Sequence, residues 1–413
     1  MRFIHAADLH IDSSLSGLRL RHGGAANAFA TATRSAFRNL IDHALSGGID
    51  FVVIAGDVFD GDWADYATGL FFLNGLADLG RAGIPVVMIH GNHDASSKMS
   101  RSLTWPGHVR VLGSRAAETH VLERFGVSVH GQSFADGAVP GNLAAGYPVA
   151  VPGHFNIGLL HTSLAGNAQH DTYAPCSLDD LRAKGYDYWA LGHVHTPSVL
   201  CEDPHVVFPG NIQGRHVNEA GPCGFVVVDV DGGRVSRLTT VAADSLRWRR
   251  ARADLSACAS FSDAAARVAN ALEGAAASAD GRAVAVRLEL HGATPMHGEI
   301  LSDRERLEAE CDAAALQAGD VWLEKVVVAT AADAAAGDRD LEAAGLAEIL
   351  HAVAADPGER GAIKRALEDD LGRLPLSLRQ AAGIGLGDDA FDRIVAHATA
   401  LLTHPLSGPM AGR

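Results

Sequence analysis

Hydrophobic and polar positions divide the first 243 residues or so into short apolar runs and segments with helical spacing. The runs have strand length, and the helical segments carry apolar residues three or four positions apart, as in Phe37, Leu40, Ile41 and Ala44. The pattern predicts strands at 2–7, 51–56, 86–90, 126–131, 155–160, 188–191, 205–208 and 223–230, and helices at 29–47, 65–82 and 177–184. We expect an α/β (α+β) domain, a β-sandwich flanked by helices, over residues 1–243.

A second unit is predicted from about Asp244. Its pattern reads strand 246–254, helix 261–276, strand 283–291, helix 303–318 and strand 321–329, a small α/β domain over 244–330. An Ala/Gly/Asp-rich stretch from Thr330 to Asp338 reads as a linker. Three amphipathic helices are then expected over 338–403, the third marked by Phe391, Ile394, Val395, Ala398 and Leu402.

Composition limits the classes of protein to consider. The chain has 413 residues, 47% hydrophobic and 20% charged, with a net charge of −15, which disfavours attraction of the whole surface to nucleic acid. No apolar run is long enough for a membrane span, and the N-terminus lacks the pattern of a signal peptide. The five cysteines are scattered without a CxxC pair. We therefore expect free thiols and a reducing, cytoplasmic location.

Five segments carry the candidate chemistry, each placed at the end of a predicted strand. They contain carboxylate, imidazole and carboxamide groups, a donor set that suits Mn²⁺, Fe²⁺ or Zn²⁺ better than Ca²⁺. Strand ends of an α/β sheet share one edge, so these groups should meet there. Any one segment alone is weak evidence, but their ordered combination predicts a two-metal site. The segments are Asp8-Leu9-His10, Gly56-Asp57-Val58-Phe59-Asp60, Gly91-Asn92-His93-Asp94, His161-Thr162 and Gly192-His193-Val194-His195.

Two neighbouring ions need a bridging ligand, and a carboxylate has the two oxygens for it. Asp57 is the candidate bridge. Asp8 and His10 would share one ion, because residues two apart on a strand point to the same side. By the same spacing, His193 and His195 would supply one imidazole to each ion. We expect Asn92 and His161 to complete the second ion.

His93 follows Asn92 and should face the substrate, where it could protonate the leaving oxygen. A structural or metal-facing role is its alternative. Asp60 could orient His93 or line the pocket, and Asp94 is expected to cap a loop. Arg215 is interpreted as a surface residue in preference to a phosphate contact.

Further stretches of the chain match a known family. GDVFDGDW and GNHD differ from the motifs of phosphoprotein phosphatases, and the chain also contains HAADLHIDSSLSGL, HTSLAGNAQHDTYAPCSLDDL, KGYDYWALGHVH and FPGNIQGRHVNEAGPCG. Over about residues 1–250 it resembles the calcineurin-like metallophosphoesterases. Within them it is similar to the SbcD/YhaO-like nuclease subunits of SbcCD-type DNA-repair complexes.

The resemblance implies an exonuclease that hydrolyses DNA phosphodiesters with two divalent ions, Mn²⁺ first, with Mg²⁺, Fe²⁺ or Zn²⁺ as alternatives. It assigns Asp8, His10, Asp57 and His195 to one ion, Asp57, Asn92, His161 and His193 to the other, and His93 to catalysis. It also implies a capping role for the small domain, a homodimer, and an SbcC-like coiled-coil ATPase bound near the C-terminus. Many relatives have His where this chain has Asp60.

Two other functions remain open at this point. The same metals would serve a small-molecule or cyclic-nucleotide phosphodiesterase, although such substrates need no 170-residue extension. The chain could instead be a scaffold for an ATPase. Two further features also have two interpretations: the apolar face of 65–82, containing Leu70, Phe71, Leu73, Leu76 and Leu79, fits a dimer contact or a core, and the arginines at 247, 249, 250 and 252 fit a DNA contact or a solvated edge.

Overall fold

A computed structural model describes residues 1–13, 15, 18, 31–61, 66–97, 103–164, 173–333 and 341–373, with isolated positions between 391 and 402. The chain divides into two compact units. The first comprises Met1–Arg249 and Ala279–Ala285, and the second comprises Arg250–Ser278 and Val286–Arg413. Every helix in the described ranges is too short or too polar to span a bilayer.

The first sheet of the first unit has six strands. They are β1 (Arg2–Ala6), β2 (Phe51–Ala55), β3 (Val86–Ile89), β4 (Val109–Val111), β11 (Gly224–Asp231) and β12 (Arg234–Ala242), in the order β12-β11-β1-β2-β3-β4. β1 to β4 run parallel, and β11 pairs antiparallel with β1 and β12. Helices α1 (Ala32–Ser46) and α2 (Ala67–Arg81) pack their apolar faces on one side of this sheet.

The second sheet also has six strands. They are β5 (Glu118–Leu122), β6 (Val127–Gly131), β7 (Phe155–His161), β8 (Tyr188–Gly192), β9 (Ser198–Glu202) and β10 (His205–Phe208), in the order β5-β6-β7-β8-β10-β9. β6, β7, β8 and β10 run parallel, with antiparallel strands at both edges. The short helix α4 (Leu178–Arg182) contributes Leu181 to the core on its outer face, with Trp189 and Phe208.

A core between the sheets holds the sandwich together. Strand residues alternate between its two faces, so that Phe3 of β1 lies in the inter-sheet core while Ile4 lies under the helices. The Phe3 and Phe51 rings stack at 4.9 Å. Because nearly every residue of these central strands is buried, their ends are held firmly at one rim of the sandwich.

The second unit contains a three-stranded sheet with helices. Its strands are β13 (Leu246–Asp254), β14 (Ala283–Thr294) and β15 (Val321–Ala332), in the order β13-β14-β15. The first residues of β13 and β14, 246–249 and 283–285, are counted with the first unit. Its helices are α5 (Phe261–Ala277), α6 (His297–Ser302), α7 (Arg304–Gln317), α8 (Leu341–Ala355) and α9 (Pro357–Gly372). Ser260 caps α5, and Asp303 caps α7, by accepting from backbone N–H groups.

The predicted fold class is confirmed: two sheets form a sandwich flanked by helices. The pattern missed the edge strands β4, β5, β9 and β12, because three of them are partly exposed and mix polar with apolar residues, and β4 has only three residues. The predicted third C-terminal helix and the segment 334–338 fall largely or wholly outside the described residues. The domain boundaries predicted at 243, 330 and 338 stay predictions.

Candidate metal centre

The predicted ligands meet at one rim of the sandwich. Asp8 and Asp57 follow β1 and β2 by two residues, Asn92 opens the short helix α3 (Asn92–Ser96) after β3, and His161 is the last residue of β7. His193 and His195 follow β8 directly. Five strand ends from both sheets therefore supply all seven side chains. The sequence predicted this meeting at strand ends, and the roles of the side chains as metal ligands stay a proposal.

Asp8, His10 and His195 form the first group. Their ligating atoms lie within 4.8 Å of one another. His10 Nε2 lies 3.3 Å from His195 Nε2, and His195 Nε2 lies 3.8 Å from Asp8 Oδ1. Two imidazole nitrogens and a carboxylate oxygen thus face one another.

Asp57, His161 and His193 form the second group, again with ligating atoms within 4.8 Å. His161 Nε2 lies 3.4 Å from Asp57 Oδ2 and 3.0 Å from Asn92 Oδ1. Asn92 therefore adds a neutral oxygen to this group, where the sequence prediction put it.

Asp57 lies between the two groups. Its Oδ2 is 3.4 Å from His161 Nε2 in one group and 4.0 Å from His10 Nε2 in the other. Its Oδ1 accepts a hydrogen bond from the backbone N–H of His93 at 3.0 Å, which fixes the carboxylate. One oxygen that faces both groups is the geometry a bridging ligand needs.

The backbone of the rim is strained in a way that non-glycine residues rarely adopt. Asp8, His10, Asp57 and His193 all have positive φ, at 52°, 41°, 51° and 99°. Gly91 belongs to the same arrangement, because a Cβ there would lie 2.2 Å from Asp57 Oδ1. Such strain concentrates at functional sites, where the surrounding structure holds it in place.

Outer hydrogen bonds orient the imidazoles. His161 Nδ1 donates to the Ala55 carbonyl oxygen at 2.8 Å, and His195 Nδ1 donates to Glu219 Oε1 at 2.7 Å. Both rings therefore turn Nε2 toward the groups. Asp8 Oδ2 accepts from the His193 N–H at 2.9 Å, which ties the first strand of one sheet to the loop of the other. Partners of this kind commonly support metal ligands.

The charges of the rim are strongly coupled. Burial disfavours a charged His161, yet the Asp57 carboxylate raises the pKa of its imidazole to about 9. Burial equally opposes a charged Asp57, but His161 holds the pKa of that carboxyl below its usual value. Burial and the nearby His161 lower the pKa of His193 to about 4. A metal that binds here must displace the His161 proton, so metal binding would release protons.

The residues fit a pair of divalent ions. Metal–ligand bonds of about 2.0–2.2 Å place neighbouring donor atoms about 3.0–3.5 Å apart. Three of the pairs above lie in this range, at 3.0, 3.3 and 3.4 Å. The pairs His195–Asp8 and His10–Asp57 are longer, at 3.8 and 4.0 Å. The buried side-chain polar atoms without a hydrogen-bond partner among the described residues are His10 Nδ1, Asn211 Oδ1 and Arg215 Nε. His10 Nδ1 is the ring nitrogen opposite to the one that faces His195, and it lies 3.4 Å from Asp60 Oδ1. Asn211 and Arg215 both bond Glu219, the partner of His195. The mixture of carboxylate, imidazole and amide suits Mn²⁺, Fe²⁺ or Zn²⁺.

His93 belongs to neither group but lies beside the first, with its ring centroid 5.0 Å from that of His10 and a side chain 41% exposed. With His10 and Asp60 it forms a third cluster whose ligating atoms lie within 4.8 Å of one another. His93 Nδ1 lies 3.1 Å from Asp60 Oδ1, and Ser13 Oγ donates to Asp60 Oδ2 at 2.8 Å. This contact raises the pKa of His93. Asp60 therefore contacts His93 directly.

The sequence interpretation of Arg215 as a surface residue is wrong, because its side chain is only 16% exposed. It lies between Asp60 and Glu219, beside the ring of His195. Glu219 was missed altogether: besides His195 it accepts from Asn211 Nδ2 at 2.9 Å and the Arg215 N–H at 2.7 Å. The matched segment FPGNIQGRHVNEAGPCG contained both residues and was the signal that could have found them.

Arg247 also differs from the sequence interpretation, whereas Asp94 caps a loop as expected. Arg247 is neither on a solvated edge nor free for DNA: its side chain is 2% exposed and pairs with Asp244 at 2.8 Å and Asp280 at 2.6 Å. Asp94 is fully buried and accepts from the backbone N–H groups of Val58, Phe59 and Gly91, so it joins two loops of the rim.

Helix α2 contributes a core face. Phe72, Leu76 and Leu79 are fully buried, whereas Leu70 is 59% exposed. All five cysteines lie in the described residues and none of them forms a disulfide, as expected.

Comparison with known proteins bears on both units. Residues 1–197 match the family model of calcineurin-like phosphoesterases. This part of the chain, just under half of its 413 residues, is therefore similar to the calcineurin-like phosphoesterases. Residues 248–331 match the model described as the middle domain of metallophosphoesterase YhaO. The second match overlaps the range 244–330 expected for the small domain, whose boundaries stay a prediction.

Individual relatives cover only part of the chain. It is 37% identical over 259 residues to the uncharacterized metallophosphoesterase YhaO of Bacillus subtilis, across 62% of this chain and 63% of that one. It is 27% identical over 217 residues to the DNA double-strand break repair protein Mre11 of Methanopyrus kandleri, across 48% and 45%. The chain thus spans less than two thirds of both relatives. A solved structure of GAP50, described as the anchor in the inner membrane complex of Plasmodium, matches 59% of this chain and 88% of its own, at 12% identity and a TM-score of 0.34.

Proposed function

We propose that this chain is a two-metal phosphodiesterase that hydrolyses DNA, the exonuclease subunit of an SbcCD-like repair complex. The observation that carries the proposal is the position of Asp57, one of whose oxygens faces a donor group on each side. The match of residues 1–197 to the calcineurin-like phosphoesterase family supports the same class of chemistry.

The proposed ligands are those of the two groups. Asp8, His10 and His195 would hold one ion, Asn92, His161 and His193 the other, and Asp57 both. Bound divalent ions would polarise phosphoryl oxygens and make water a better nucleophile at neutral pH.

His93 is the proposed general acid. Since its Nδ1 faces Asp60, Nε2 is the ring nitrogen left to carry a proton to the departing sugar oxygen. The raised pKa of His93 keeps the imidazole protonated nearer neutral pH, which suits that task. Asp60 positions the ring and stabilises its charged form.

DNA is proposed as substrate because one relative is named as a double-strand break repair protein. A net charge of −15 weakens attraction to DNA. We therefore propose that a partner, an SbcC-like coiled-coil ATPase, supplies the positive surface that binds DNA. The second unit, whose residues 248–331 match the YhaO middle domain, is proposed to help grip DNA. Homodimerisation and a cytoplasmic location are part of the same proposal.

The test is Mn²⁺-dependent digestion of end-labelled duplex and single-stranded DNA by the purified chain, beside a generic aryl phosphodiester. Shortened DNA products that vanish with EDTA would support the proposal. The matched control is Asp78→Asn, which removes a carboxylate paired with Arg38 at the end of α2 and should leave digestion unchanged. Cleavage of the aryl diester or of cyclic nucleotides with intact DNA would favour the small-molecule alternative, and no hydrolysis of any substrate would favour a scaffold.

A further inference from the structure

Arg215 lies beside the proposed catalytic residues, yet the roles above leave its guanidinium without a task. Its Nη1 is 3.6 Å from Asp60 Oδ1, the same oxygen that His93 Nδ1 approaches at 3.1 Å. Its Nη2 is 3.5 Å from Glu219 Oε1 and 3.3 Å from His195 Nδ1. The positive group therefore borders both the proposed acid and a proposed ligand.

The guanidinium is poorly satisfied by its protein neighbours. All three of its side-chain contacts are longer than a normal charge-assisted hydrogen bond of about 2.7–2.9 Å. Its Nε is buried and has no hydrogen-bond partner within the described residues. A buried donor left unpaired is destabilising, so its presence in a folded protein calls for an explanation, and a functional role is one.

Other arginines of this chain show what a purely structural pair looks like. Arg34 contacts Asp12 through Nε at 2.6 Å and Nη2 at 2.5 Å, and Arg287 contacts Glu324 at 2.7 and 2.6 Å. Arg215 has two carboxylates within reach and makes no such bidentate pair with either. Its long contacts hold the planar group in place while leaving N–H donors for another acceptor.

We propose that Arg215 binds a non-bridging phosphoryl oxygen of the substrate, beside His93. A planar fork of N–H donors matches the geometry of a phosphate, and burial strengthens the attraction. Asp60 and Glu219 then act as a frame that orients the guanidinium. The identity of the substrate as a phosphodiester rests on the proposed function, but the anion site itself does not.

The experiment compares Arg215→Gln and Arg215→Lys with the wild type and with Arg38→Gln. The control removes an arginine that pairs with Asp78 at 2.7 Å on a helix packed outside the sheet. Inorganic phosphate is titrated into each Mn²⁺-loaded protein by calorimetry, and metal content and melting temperature are measured on the same samples. Kinetics with an aryl phosphodiester give KM and kcat separately.

We expect Arg215→Gln to retain two ions per chain and to bind phosphate at least tenfold more weakly, which is 1.4 kcal/mol. Arg215→Lys should recover part of that loss, because it keeps the charge and loses the fork. The KM should rise in both variants, and Arg38→Gln should match the wild type.

Three results would overturn the proposal: unchanged phosphate affinity in Arg215→Gln, loss of a metal ion from both variants, or no phosphate binding by the wild type. Phosphate binding needs no turnover, so failure of DNA hydrolysis would leave this test standing. Normal DNA hydrolysis with unchanged phosphate affinity would refute the Arg215 site alone.

Discussion

Gly192 is the position where a single methyl group should disturb the metal centre most. It ends β8 and directly precedes His193. A Cβ at Gly192 would lie 2.0 Å from the Ala55 carbonyl oxygen, about 1.4 Å short of the nearest ordinary van der Waals contact. The same carbonyl oxygen accepts from His161 Nδ1 at 2.8 Å. Gly192→Ala must therefore push the ends of β8 and β2 apart, which separates the two sheets at the rim that carries His161 and His193.

The magnitude follows from that displacement. Overpacking of a well-packed interior destabilises by about 1–3 kcal/mol, and a shift of about 1 Å in catalytic groups costs about 10²-fold in rate. We expect Gly192→Ala to unfold at lower denaturant concentration, to bind Mn²⁺ more weakly, and to hydrolyse an aryl phosphodiester about 10²-fold more slowly.

Chemical denaturation, metal titration and kinetics would measure the three effects. The control is Gly146→Ala, where an added Cβ meets nothing within 4 Å and the backbone has no positive φ. Its stability should change by less than about 0.5 kcal/mol. If Gly192→Ala matched this control in stability and metal affinity, the close approach of the two sheets would not position the site.

Three further changes test separate parts of the account. His93→Ala should keep both ions while kcat falls about 10²–10⁴-fold, less for an acidic leaving group; loss of an ion in the metal assay would make His93 a ligand. Glu219→Gln should weaken metal binding about 10–100-fold in a chelator competition, because the charged partner of His195 is gone; unchanged affinity would contradict this. Burial lowers the pKa of His5 to about 3, so the unfolded chain takes up its proton first as pH falls. The free energy of unfolding should therefore fall by about 2 kcal/mol between pH 7 and 5. In His5→Gln this dependence on pH should be weaker. An equal dependence in both proteins would be inconsistent with a neutral buried His5.

The central strands and the positions of the ligands could be predicted from sequence because each depends on local pattern. Fully apolar runs such as Phe51–Ala55 mark buried strands, and each is followed directly by a polar group such as Asp57. Parallel strands bring such ends together whatever the details of packing. The edge strand β12 was not predicted, because its half-exposed residues show little alternation of apolar and polar positions.

Residues that act through long-range pairing could not be assigned from the pattern. Glu219 reaches His195 across 24 positions, and Arg215 approaches Asp60, far away in the sequence. Nothing in spacing indicates either contact. Arg247 was also misinterpreted for lack of its partners. The arginine-rich strand suggested a contact with solvent or DNA, but the Arg247 side chain is buried and pairs with Asp244 and Asp280.

The most direct test of the central claim is the number of metal ions per chain, measured by elemental analysis after loading with Mn²⁺ and removal of excess metal. The account predicts two ions in the wild type. Asp57→Asn should hold fewer than two and lose Mn²⁺-dependent phosphodiester hydrolysis, with its circular dichroism spectrum unchanged. Two bound ions and full hydrolysis in Asp57→Asn, or at most one ion in the wild type, would contradict a centre bridged by this carboxylate.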